Sequence, residues 1–199
     1  MTNSLRGVDI DAVDTAAQLR FWSTLLELSP VGDSALTLGP GTLRFVAAEH
    51  PKSVKNRLHL DLASTSGRHQ AEIVERARGL GAVPVDVGQR DVPWVVLADP
   101  EGNEFCVLEP RDEYLGLGPV AAVVIDALDP TAQARFWAPT TGLPITREHE
   151  IYASLGQDGA YFVEFIRVPT AKDAPNRLRL RVEGPAPRSD PEGNEISVG

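Results

Sequence analysis

The sequence predicts an α+β fold made of repeated strand–helix–three-strand (βαβββ) modules, with the second copy truncated. Three observations predict it. VDIDAVDTAAQLRFW at residues 8–22 returns as VVIDALDPTAQARFW at residues 123–137, NRLHLDL from Asn56 returns as NRLRLRV from Asn176, and DPEGNE occurs verbatim from Asp99 and from Asp190. The pairs keep their order. Ile10, Asp11, Ala12, Asp14, Ala17, Gln18, Arg20, Phe21 and Trp22 all have identical counterparts, which shared composition does not produce.

Each copy opens with an apolar strand and then a helix start. Asp14 and Asp129 are good N-caps, and Pro130 takes the first helical position, where its missing N–H costs nothing. Ala17, Phe21, Leu25 and Leu28, with Trp22 and Leu26 beside them, form a helical stripe suited to packing on a sheet, so Trp22 and its repeat Trp137 are expected in the core. The second copy's helix is expected to stop early at Pro139, which lacks a backbone donor. Strands are expected at residues 35–38 and 43–47, around the turn-forming GPG at residues 39–41. A second module then opens with a half-buried strand at residues 57–62. Its helix spans about 66–80, with Ala71, Val74, Ala77 and Leu80 on one side and Gly81 as a stop. Strands at 83–87, 92–98 and 104–108 complete it, the last two joined by a DPEGN hairpin with Gly102 in the left-handed position.

The repeat sets the organisation: a first copy of two modules at 1–112, a linker at 113–119 containing Gly116 and Gly118, and a shortened second copy at 120–199. In that second copy the strand at 177–182 runs to DPEGNEISVG without the helix and two strands found between the same motifs earlier, roughly thirty residues. If the two remaining strands are parallel neighbours, their connection is near the minimum length for a crossover.

A hydrophobic content of 42% is ordinary for a chain with a real core, and no stretch is apolar enough to span a membrane. The start MTNSLRGVDIDAVD has neither the basic nor the apolar region of a secretory signal, and a single cysteine, Cys106, excludes an intrachain disulfide and a Cys-rich zinc cage. A cytoplasmic protein is expected. A formal charge of -9 opposes nucleic-acid binding. The one basic cluster, Arg177, Arg179 and Arg181, would line one strand face, read here as solvated or acid-paired. No Ser-His-Asp order, P-loop or dinucleotide fingerprint occurs.

FW on the first helix, RLHLDL opening the second module and WVVLADPEGNEFCVL closing it resemble glyoxalase-like proteins of the vicinal oxygen chelate superfamily, which includes glyoxalase I, bleomycin-resistance proteins and extradiol dioxygenases. The resemblance implies paired modules whose curved mixed sheets form a cup, with helices on the outer face. It also implies, in enzyme members, a divalent metal held by His, Gln or Glu from the first and last strands of the modules. The matching positions are Asp9, Val46, His59 and Cys106 in the first copy and Val124, Ile166, Arg179 and Ser197 in the second. Val46 cannot coordinate anything, and Asp9, His59 and Cys106 make a thin donor set, so no cofactor is expected and a divalent metal on those three residues is the secondary reading.

Alternation puts Leu58, Leu60 and Leu62 toward the helices and leaves His59 and Asp61 facing the cup. Asp9, Asp11, Trp94, Glu104 and Cys106 are expected to join them as ligand-binding residues, making an acidic, partly aromatic pocket for cationic or hydrogen-bond-donating small molecules. If the protein is an enzyme, His59 near Asp61 is the candidate catalytic pair, a general base oriented by a carboxylate. His50, His69 and His149 are expected on the surface. Three functions follow in order of preference: a small-molecule binding protein without the usual metal, a metal-dependent lyase, isomerase or dioxygenase, and a non-catalytic interaction protein. The shortened copy leaves strand edges to cover, so a homodimer is the expected assembly, with no membrane partner.

Overall fold

Asp14 ends the first strand and starts the first helix. In the computed structural model, which describes residues 3–89, 91–157 and 159–199, β1 (Ser4–Ala12) buries Val8 and Ile10, and the Asp14 carboxylate accepts the Ala17 N–H to cap α1 (Thr15–Leu26). Three strands follow, β2 (Pro30–Val31), β3 (Ala35–Leu38) and β4 (Gly41–Ala47). The module repeats as β5 (Leu58–Leu62), α2 (Gly67–Gly79, capped by Ser66), β6 (Val83–Pro84), β7 (Val95–Ala98) and β8 (Glu104–Val107). A short 3-10 turn at Asp112–Tyr114 precedes the second copy: β9 (Val120–Ala127), α3 (Pro130–Thr141), β10 (Ile145–His149), β11 (Tyr152–Leu155) and β12 (Phe162–Arg167). Only two strands follow among the described residues, β13 (Leu178–Glu183) and β14 (Ser197–Val198), and they are parallel neighbours.

The strands form two mixed sheets, and each sheet joins a module of one copy to a module of the other. The six-stranded sheet has the order β14-β13-β1-β4-β3-β2 and the eight-stranded sheet the order β10-β11-β12-β9-β5-β8-β7-β6. The seams are antiparallel: β1 lies against β13 with Val8 opposite Leu180, and β5 lies against β9 with His59 opposite Val124. Alternation then decides the faces. Leu58, Leu60, Leu62, Phe105, Val123, Ile125 and Phe165 are buried in the core with the helices' Phe21, Trp22, Ala134 and Trp137, while His59, Asp61 and Glu164 point the other way. Trp22 packs edge-on against Phe105 with ring centroids 5.1 Å apart, which fixes α1 to the eight-stranded sheet.

The recurring motifs are structural staples. The Trp22 indole N–H donates to Gln18 and to Asp99 of the first DPEGN turn, and Trp137 does the same to Gln133 and Asp190 of the second. Within each turn the Asp carboxylate also accepts two backbone N–H groups, and Gly102 and Gly193 take positive φ, 84° and 85°. The turn's Glu caps the neighbouring strand–helix corner. Glu101 accepts the Val13 and Asp14 N–H groups and pairs with Arg177; Glu192 accepts those of Leu128 and Asp129 and lies 3.5 Å from Arg57. The shortened module has thus kept the turn that serves α3.

The expected early stop of the second copy's helix is corrected: α3 runs through Pro139 to Thr141 and ends at Gly142 with φ 74°. Pro139 and Arg135, whose carbonyl loses its i+4 donor, both lie on the exposed face, where water takes over. The buried side holds the last turn, with Thr140 and Thr141 hydroxyls donating to the Phe136 and Trp137 carbonyls. No helix among the described residues is long and apolar enough to cross a membrane.

Candidate functional site

The faces of the two sheets that turn away from the core differ in what fills them. On the six-stranded sheet Asp9, side chain 2% exposed, sits between Arg44 and Arg181, and Asp11 pairs with Arg179, so the face is zipped by ion pairs. Arg177, Arg179 and Arg181 are therefore acid-paired, and Asp9 and Asp11 are spent on structure. Neither lines the cavity on the other sheet, so the set Asp9, His59 and Cys106 is not brought together.

The eight-stranded sheet keeps an open cup of about 480 Å³. Its floor is built where β5, β8, β9 and β12 run side by side: the register places Asp61 beside Cys106, His59 opposite Val124 and Glu164 beside Val124. Ligating atoms of His59, Asp61 and Cys106 all lie within 4.8 Å of one another, with His59 Nε2 3.4 Å from Asp61 Oδ1. Trp94 and Glu104 are also in the wall, so five of the seven expected ligand-binding residues share this cavity. Glu104 is committed to Lys52 and the Asn56 N–H, and the Trp94 indole donates to Gln89.

Sequence reasoning missed Glu164, Tyr114, Tyr152 and Arg111. Glu164 stands two residues before Ile166, the expected position, as the lone acid of the apolar run YFVEFIR, and that isolation was its signal. The Tyr114 and Tyr152 hydroxyls both donate to its Oε1, at 3.1 and 2.9 Å. Tyr114 comes from the linker and gave no periodic signal. Arg111 lies over the Trp94 and Tyr114 rings at 5.8 and 5.7 Å while holding Glu109.

Electrostatically the floor is acidic and the rim is neutralised. Lys55 pairs with Asp126, Arg147 with Glu113 and Arg167 with Glu150, so these cations are occupied. Asp61 Oδ1 is buried and makes no hydrogen bond, its 3.4 Å contact with His59 Nε2 being an ionic one only if the imidazole is protonated. Burial, with the nearby Asp61 charge, pushes the Glu164 carboxyl up to about 7 against the two tyrosine hydrogen bonds. Burial also raises the Cys106 thiol, reinforced by Asp61, and keeps it protonated.

The Glu164 shift makes a prediction about pH. Because the folded value is raised, the native chain holds a proton that the unfolded chain has released between about 4.5 and 7. The associated stability is present below the ordinary carboxyl value and is lost as pH rises through about 7. Relative to Glu164→Gln, the wild type is expected to lose on the order of 3 kcal/mol between about pH 5 and pH 8 in urea unfolding. A difference that does not change with pH would show that Glu164 does not titrate there.

The donors do not reproduce the His, Gln or Glu set that the resemblance implies for a divalent metal. Val124 and Ile166 occupy two of the matching positions, Arg179 and Ser197 lie on the other sheet, and the remaining cluster is one imidazole, one carboxylate and one protonated thiol. His59, Asp61 and Cys106 would hold a borderline ion such as zinc only once the Cys106 thiol had lost its proton.

A family model described as a glyoxalase-like domain matches residues 7–108 and 122–192. Glyoxalase I from Zea mays superposes with a TM-score of 0.69 at 13% identity, covering 99% of this chain and 92% of that one. A candidate dioxygenase from Bacillus subtilis superposes with a TM-score of 0.58 at 10% identity, covering 96% of this chain and 72% of that one. At these identities the likeness is one of fold. None of the curated proteins compared matches the sequence.

Proposed function

Since the chain belongs to the glyoxalase-like domain family, we propose that it is a small-molecule binding protein whose ligand enters the cup of the eight-stranded sheet and presents a cationic or hydrogen-bond-donating group to Asp61. One observation carries this reading: the buried Asp61 Oδ1, which makes no hydrogen bond although His59 Nε2 lies 3.4 Å away. A desolvated acceptor left unpaired costs about 1–3 kcal/mol, and a ligand that supplies the donor recovers it. Trp94, Tyr114, Tyr152 and Val96 offer apolar and aromatic walls for the rest of the molecule.

The same reading places the protein in the cytoplasm with neither nucleic acid nor membrane as partner, in keeping with its charge of -9. A homodimer belongs to it as well, supported by β10, an edge strand whose five residues are all exposed.

The test is a screen of alkylammonium and aromatic amine compounds by thermal shift and by Trp94 fluorescence, with wild type and Asp61→Asn in parallel. Binding is expected to weaken roughly ten- to a hundredfold in the variant, the worth of a charge-assisted hydrogen bond. Cations that bind both proteins equally, or neither, would sink the proposal.

A second reading, lyase or isomerase chemistry with His59 as general base, is favoured by the 3.4 Å His59–Asp61 pair. Its metal-dependent form is favoured by the His59, Asp61 and Cys106 cluster. Elemental analysis of protein purified without chelator or metal-affinity tag, followed by titration of zinc, nickel, manganese and iron(II), separates the two readings. The binding-protein reading expects no stoichiometric metal; tight metal lost in His59→Ala would replace it with the enzyme.

A further inference from the structure

A second, open cavity of about 380 Å³ lies at the far end of β5, bounded by α1, α2 and the linker. That volume falls within the range of roughly 300–1,000 Å³ usual for small-molecule sites. Leu25, Leu26, Leu62 and Ile73, all buried, give it an apolar interior. His69, Ile73 and Arg76 follow one another at i, i+4 and i+7 along α2, so the helix lays a stripe across the cavity with a basic or imidazole group at each end. Arg76 holds two acceptors through Nη1 alone, the Leu25 carbonyl and the Glu27 carboxylate, each at 3.1 Å. Its Nε and Nη2 have no partner among the described residues. The Glu27 side chain is 72% exposed, so its hold on Arg76 is screened and weak.

We infer that this cavity is a second ligand site, for a small amphipathic monocarboxylate. Its acid group takes the place of Glu27 on Arg76, and its hydrocarbon chain fills the space between Leu25, Leu26, Leu62 and Ile73. The Arg76 guanidinium has the fork that receives a carboxylate through two N–H groups, and Glu27 marks where such a carboxylate sits. An alkyl chain in that interior removes apolar surface from water, which Glu27, lying at the mouth, cannot do. The inference is independent of the cup, although the Tyr114 ring lines both cavities.

Octanoate is the probe, titrated into the full chain by calorimetry with butanoate as the short-chain control. Saturable one-to-one binding is expected, weaker for butanoate. Arg76→Gln should weaken octanoate roughly tenfold. Glu27→Gln should tighten it by a few-fold, because the competing carboxylate is gone, and a purely structural role for the pair does not give that sign. Ile73→Trp, which fills the cavity, should abolish binding in a chain whose circular dichroism is unchanged. Asp61→Asn should leave the octanoate affinity within about twofold, which keeps this result separate from the cup's. No saturable binding, equal affinity in Arg76→Gln, or loss of affinity confined to Asp61→Asn would overturn the inference.

Discussion

A Trp137→Ala chain is expected to be less stable by about 3–5 kcal/mol, the range for deleting a large buried aromatic. Trp137 is 1% exposed and packs edge-on against Phe136, so truncation opens a cavity under α3. It also removes the indole N–H that Gln133 and Asp190 share, leaving Asp190 with fewer donors in a buried place. Trp137→Phe separates the two parts: most of the volume stays while the hydrogen bonds go, and the loss should fall to about 1–3 kcal/mol. Urea unfolding followed by far-UV circular dichroism measures both. If the alanine variant loses less than about 1 kcal/mol, the link from α3 to the second DPEGN turn is not part of the core.

Arg57→Ala is expected to cost a similar amount, about 3–5 kcal/mol, for an electrostatic reason. The guanidinium is nearly buried and ties three separate segments: it donates to the Thr170 carbonyl at 2.6 Å and the Asp126 carbonyl at 2.7 Å, and faces Glu192 at 3.5 Å. Removing it takes a donor from two carbonyls and leaves the Glu192 carboxylate, still held by the Leu128 and Asp129 N–H groups, without its counter-charge at the seam between copies. Lysine should not rescue it, since one ammonium cannot span the fork's three acceptors. Arg177 is the counterpart on the other side, donating to the His50 and Asp11 carbonyls and pairing with Glu101. A double-mutant cycle of Arg57→Ala with Glu192→Ala should return a coupling well above the 0.5 kcal/mol of independent sites. Additive losses would show that the residues do not meet.

How much of this was legible follows from what local pattern encodes. The repeat and the apolar alternation located the strands of the first copy apart from β2, and β9 and β13 of the second, because side-chain period and turn chemistry are local: Leu58, Leu60 and Leu62 went to the core and His59 and Asp61 to the cup, while β10, β11 and β12, which lie outside the matching motifs, were not placed. Asp9 and Asp11 satisfied the same rule and still lie outside the cup. Alternation assigns a face of a strand, not which sheet that face belongs to, and the Arg44, Arg179 and Arg181 partners are distant in sequence. Glu164 was hidden by a different problem: its strand was not placed, and the matching position implied by the resemblance was read two residues too late, at Ile166. Tyr114 rests on a linker, where no period exists to read. Pro139 shows a local rule yielding to context, its orphaned carbonyl turned to solvent.

The crossed pairing of modules has a consequence for how the chain reaches its native state. Ser4 finds its partner in Glu183 and Leu58 finds its partner in Ile125, so neither central seam can close while the ribosome has delivered only the first copy. Closing such distant contacts is entropically slow, and until then β1 and β5 present open edges rich in valine, isoleucine and leucine. The nascent first half is therefore the aggregation-exposed species, and chaperone dependence should fall sharply once residue 183 has emerged.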